Sequence, residues 1–193
     1  MGFCLAEIGL NLAIPSTPAA FAHGLFGLAA FAVSFLFVSV LWWFHHKLFA
    51  TYFVLNPLTV VLNFVMLGSL ALAIYFLQVS VHFMMLDVTP AMPIVCWTVA
   101  LAVVYAIISV QYGIGIAYRK TTLSERELRF GVNRAFRTAV VAVLMAAFSA
   151  AFSRVHHVAG ATYAIVAAGV LLGITRRVLV PRITANLLAG RGT

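Results

Sequence analysis

Long apolar runs separated by short polar breaks dominate the chain. Five of them, at roughly 19–44, 57–79, 92–118, 135–152 and 159–174, have the length and continuity of membrane helices or come close to it. A shorter apolar stretch, 3–14, precedes them and is closed by Pro15 and Pro18. At 1.5 Å per residue it reaches only about 18 Å, against a hydrocarbon core of about 30 Å. It therefore reads as a cut-down first helix or a re-entrant one. Ala20-Phe21-Ala22 resembles a signal cleavage site, but no basic residue leads into the apolar stretch, so a helix is the expectation. The pattern predicts an all-α fold: a polytopic six-helix transmembrane bundle with a short first helix. Residues 1–180 form one transmembrane domain, and 181–193 read as a mobile cytoplasmic tail.

One stripe interrupts the apolar pattern. Ser34, Trp42, His45 and Phe49 follow one another at intervals of 8, 3 and 4, which places them on one side of a helix. Lipid accommodates imidazole and indole poorly unless they find partners, so the stripe is expected to face protein. An aromatic belt with a basic flank, ordinary at helix ends, accounts for the same residues more plainly. Further on, Thr122 lies three residues before Glu125, and Ser124 three before Glu127. Either pair marks a helix start within the solvated loop 121–129.

Composition agrees with a membrane protein. The chain is 64% hydrophobic and 8% charged, with only four acidic residues, too few for the polar shell of a soluble domain. Charge placement adds an orientation. Eleven of the twelve basic residues, from Lys47 through Arg119 to Arg191, fall in one set of loops and flanks; Arg154 alone falls in the other. The positive-inside rule then puts the basic loops and the C-terminus in the cytoplasm, and six passes put the N-terminus there too. Topology and anionic lipid suffice for the net charge of +8, and no nucleic acid partner is expected.

Little in the segments suggests catalysis. Cys4 and Cys96 stand apart from any metal-ligand spacing, and no phosphate loop, nucleophile elbow or HExxH pattern occurs. The expectation is no enzyme, no catalytic residue, no metal site and no cofactor. Histidines near both faces (His23, His45, His46, His82, His156, His157) raise a haem or redox alternative, but no second intramembrane histidine clearly opposes His23 or His45. Glu7 is the one carboxylate within an apolar stretch, and Asn11 follows it four residues on. If several subunits brought this stretch together, Glu7 and Asn11 would ring an axial path for cations. Alternatively, Glu7 lies at the cytoplasmic surface.

Ser34-Phe35, Trp42, His45-His46, Phe49 and the Leu62-Asn63 pair resemble the second and third helices of the transmembrane protein 175 family, endolysosomal and bacterial potassium channels. Residues 30–65 carry the likeness; beyond them only hydropathy agrees. The resemblance implies a single-repeat, bacterial-type member in a plasma membrane, assembled as a homotetramer in the lipid bilayer, with potassium as the permeant species among monovalent cations. It implies a pore lined by the N-terminal helix, with Leu5, Glu7, Ile8 and Asn11 as lining candidates. Ser34, Trp42, His45, His46 and Asn63 would form a structural polar network tying that helix to its neighbours. The family's Phe-Ser-Asp motif departs from this pattern, since alignment on Asn11 to Pro15 sets it before Met1. Glu7 also stands where the family is apolar. A non-conducting membrane sensor or partner subunit with the same fold is the second expectation.

Overall fold

A computed structural model describes residues 18–86, 91–155 and 158–190. The described chain is all helix: α1 (Pro18–Thr51), α2 (Pro57–Met85), α3 (Ala91–Arg119), α4 (Glu125–Val155) and α5 (Val158–Ala189). The short N-terminal stretch, with Leu5, Glu7, Ile8 and Asn11, lies outside the described residues. Among the described residues, Pro57–Phe83, Ala91–Arg119 and Glu125–Ser153 are long and apolar enough to cross a membrane. At 27 residues the shortest of these spans about 40 Å, beyond the roughly 30 Å of hydrocarbon. The protein is an integral membrane protein.

α3 lies at the centre, packed against α2 on one side and α4 on the other, and α5 covers α4. Among the described residues α1 meets α2 and α3 only sparsely. What attaches α1 is the side that carries Val38, Leu41, Leu48 and the following Tyr52, all buried in the main apolar cluster with Met66, Val104, Tyr112, Leu128 and Val132. These α1 positions recur at intervals of 3, 7 and 4, one face of a helix.

Three of the helices outrun the apolar runs that announce them for the same reason. α1 continues seven residues past Phe44 because Leu48 keeps the buried face going. α4 begins at Glu125, ten residues before its apolar run, because Leu128 and Val132 bury one side while Glu125, Arg126 and Arg129 stay exposed. α5 runs to Ala189, so residues 181–189 are helical and not a loose tail. Val180, Leu187 and Leu188 pack on the core with buried Thr184 among them, at helical spacing, despite the polar breaks at Arg176, Arg177 and Arg182. Such amphipathic extensions are invisible to a search for unbroken hydropathy.

Local chemistry sets the helix starts. Asn56 caps α2: its Oδ1 accepts from Thr59 N at 2.8 Å, and its own N donates to Thr59 Oγ1 at 3.2 Å, a reciprocal box with Pro57 at the first helical position. Ser124 and Glu127 repeat this at α4. Glu127 Oε2 accepts from Ser124 N at 2.8 Å, and Glu127 N donates to Ser124 Oγ at 3.3 Å. Of the two start signals in the sequence, the Ser124–Glu127 pair is the one that forms.

Candidate functional site

The C-terminal end of α1 is where the aromatic and polar residues singled out in the sequence meet the bundle. His45 donates through Nε2 to Asn63 Oδ1 at 2.8 Å, joining α1 to the first half of α2. Its ring lies 4.3 Å from that of Phe49, which stacks in turn on Phe53 at 4.0 Å. Both partners of the hydrogen bond are half-buried, so each satisfies a group that would otherwise enter an apolar layer unpaired.

The rest of the expected network is arranged differently. Trp42 stacks on His46 with ring centres 5.4 Å apart, and both are exposed, as is Trp43 with Lys47 over its face at 5.1 Å. Trp42 is 51% exposed and Phe49 37%. On a helix of 3.6 residues per turn these two fall at the border of the arc that Val38, Leu41 and Leu48 bury. Within one chain the stripe therefore flanks the buried face, and its central member, His45, turns inward. Ser34 lies on α1, but its side chain is not among those described.

Just beyond His45, Tyr52 locks the end of α1 to α3 and α4. Only 1% exposed, it donates its hydroxyl to the Glu127 carbonyl at 2.6 Å and lies 4.9 Å from the Tyr112 ring. Two glycines make the room. A Cβ on Gly115 would stand 2.2 Å from the Tyr52 carbonyl oxygen, and one on Gly131 would stand 2.6 Å from the Tyr52 ring. Arg119 closes the joint from outside, donating from Nη1 to the Thr51 carbonyl at 2.9 Å, a cation at the carbonyl end of α1. Arg134 of α4 lies 4.1 Å over the Phe44 ring. Burial, reinforced by Tyr112 and Glu127 nearby, pushes the Tyr52 phenol well above its ordinary range, so it is a neutral donor near neutral pH.

Tyr52, Gly115, Gly131 and Arg119 did not stand out as a group in the sequence. One signal for Tyr52 was present: it continues the 38, 41, 45, 48 periodicity one turn past the stripe. Gly115 has no local signature, because the residue it makes room for lies 63 positions away.

This geometry holds a helix end; it does not assemble reactive groups. Among the described residues no three His, Cys, Asp or Glu side chains gather in a way that would hold a metal ion.

The family model described as endosomal/lysosomal potassium channel TMEM175 matches residues 7–73. Over those residues the chain is similar to the TMEM175 family. The matched span holds the N-terminal stretch from Glu7, the whole of α1 and α2 as far as Ala73, including His45, Tyr52 and Asn63. The α3 and α4 sides of the Tyr52 joint, with Gly115, Gly131 and Arg134, lie outside it. No curated protein and no solved structure gave a match. The TMEM175 likeness thus rests on the N-terminal helices and on the element that anchors them.

Proposed function

We propose that the chain is a potassium-permeable cation channel in which four copies surround a central axis lined by residues 3–14. The observation that carries this reading is the TMEM175 family match over residues 7–73, which spans the stretch that would line the pore and the helices that would hold it. The lining candidates are Leu5, Glu7, Ile8 and Asn11, with potassium passing down its electrochemical gradient and no cofactor taking part.

The arrangement of α1 supports the assembly. On α1, Phe35, Leu36, Trp42 and Phe49 remain exposed within one chain. A neighbouring copy seated there would cover this side and hold the N-terminal stretch near the axis. His45, Asn63 and Tyr52 would then fix the base of α1, so that the pore stretch is carried on a rigid support. The basic ends of α1, α3 and α4 meet at one end of the bundle, joined through Tyr52, Arg119 and Arg134. In a bacterial-type plasma membrane this end would face the cytoplasm.

Planar bilayer recording from the purified protein, with potassium on one side and sodium on the other, tests the proposal. A reversal potential displaced toward that of potassium is expected. Silent bilayers from a stable tetramer would replace the channel by a non-conducting relative of the same fold.

A further inference from the structure

At the end of α1, Thr51 and the following Tyr52 are gripped by the two flanks of one short connection. α3 stops at Arg119 and α4 starts at Glu125, so residues 120–124 join them. From the α3 flank, Arg119 Nη1 reaches the Thr51 carbonyl at 2.9 Å. From the α4 flank, the Glu127 carbonyl receives the Tyr52 hydroxyl at 2.6 Å. Two adjacent residues therefore answer to both ends of the same link.

The link is ordered by its own bonds. Thr122 N and Leu123 N both donate to the Arg119 carbonyl at 3.0 Å, and Thr122 Oγ1 adds a third donor at 3.1 Å. These bonds satisfy a carbonyl that the end of α3 would leave open. Leu123 is buried in the main apolar cluster and pins the link from beneath, while Lys120, Thr121 and Thr122 are exposed.

Glu127 has two tasks. Its side chain closes the cap of α4, with Oε2 accepting from Ser124 N at 2.8 Å and from Ser124 Oγ at 2.7 Å. Its main-chain carbonyl holds Tyr52. If the first turn of α4 unwinds, the movement that opens the cap also carries the Tyr52 acceptor away. Glu125, two residues before it, has no such double role and pairs with Arg129 on the exposed side.

We infer that the 120–124 link and the first turn of α4 form a latch on the end of α1, closed while the Ser124–Glu127 cap holds and released when that turn unwinds. Helix ends open locally at lower free energy than the packed core, so this is where such a device can work. The consequence for ion flow rests on the channel reading: where α1 supports the pore stretch, releasing the latch loosens that support. Open probability then changes while ion preference does not.

Amide hydrogen exchange of the full-length protein in detergent reads the latch without ion flux. The reporters are the amides of Tyr52 and Phe53, which donate to the Leu48 carbonyl at 2.8 and 2.9 Å. Glu127→Ala should speed their exchange by about fivefold, the factor that a lost cap of ordinary strength implies, although they lie outside α4. Glu125→Ala makes the same change of charge and should leave them at the wild-type rate. Glu127→Gln, whose amide oxygen still accepts from Ser124, should restore most of the protection. Arg119→Gln should loosen the reporters from the α3 flank, whereas Lys120→Gln beside it should not. Faster exchange confined to residues 124–130, with Tyr52 and Phe53 unchanged, would overturn the latch. So would equal effects from Glu125→Ala and Glu127→Ala. In planar bilayers Glu127→Ala should alter open probability at an unchanged reversal potential. Silent wild-type bilayers would remove the channel reading, and the exchange result would still decide the latch.

Discussion

His45 on α1 and Asn63 on α2 are joined by a 2.8 Å hydrogen bond between Nε2 and Oδ1. They stand 18 residues apart in sequence, and among the described residues α1 and α2 make few other contacts. The bond is thus one of the ties that hold the end of α1 to α2. With Asn63 Oδ1 as the acceptor, the imidazole carries a proton on Nε2.

Single replacements His45→Ala and Asn63→Ala should each lower the melting temperature of the detergent-solubilised protein, and the double variant should lose less than their sum. The coupling expected for one half-buried hydrogen bond is about 0.5–1.5 kcal/mol. Ion preference should change little in any of the three. Strict additivity of the two losses would show that the pair does not interact.

The glycines around Tyr52 make a sharper contrast. Gly115→Ala and Gly131→Ala each insert a methyl against Tyr52, which overpacking of this kind makes unfavourable by about 1–3 kcal/mol. Gly113→Ala, two residues from Gly115, meets nothing within 4 Å and gains helix propensity, so its melting temperature should stay the same or rise. Equal behaviour of Gly113→Ala and Gly115→Ala would contradict the close fit at Tyr52.

Tyr52 also carries a pH signature. Its phenol is raised above the ordinary value near 10, so from that pH upward the unfolded chain loses this proton before the folded one does. The unfolded state then binds fewer protons, and stability falls as pH rises above about 10; below it the contribution is complete. Tyr52→Phe should remove this alkaline component and, by deleting the bond to Glu127, lower stability at neutral pH by about 1 kcal/mol. Melting curves between neutral and strongly alkaline pH measure both effects. A variant whose alkaline decline matches the wild type would exclude Tyr52 as its source.

The class of the fold was legible because apolar length is a direct physical demand of the bilayer, and no tertiary detail enters it. The stripe was legible for a similar reason: His45 and Trp42 are too polar to be ignored in an apolar run. Which of the two neighbouring histidines reaches Asn63 was not, since His45 and His46 differ by only 100° around the helix and the choice belongs to how α1 leans on α2. The extensions of α4 and α5 were hidden because their buried sides are made of isolated residues, Leu128 and Val132, Val180 and Leu188, set among charges. The Tyr52 joint depends on Gly115 and Gly131, whose meaning exists only once three helices have met.

Glu7 supplies a test of the proposed pore stretch itself. If four copies of this residue surround the axis, Glu7→Gln should lower cation conductance and change selectivity, because a ring of carboxylates concentrates cations at the constriction. Conductance and reversal potential that match the wild type would remove Glu7 from the ion path.

The most direct measurement is potassium-driven flux into liposomes holding the purified protein, with sodium as the comparison ion and the mass of the solubilised assembly determined beside it. The account predicts an assembly of four chains and flux that prefers potassium. A stable tetramer that passes neither ion would contradict it.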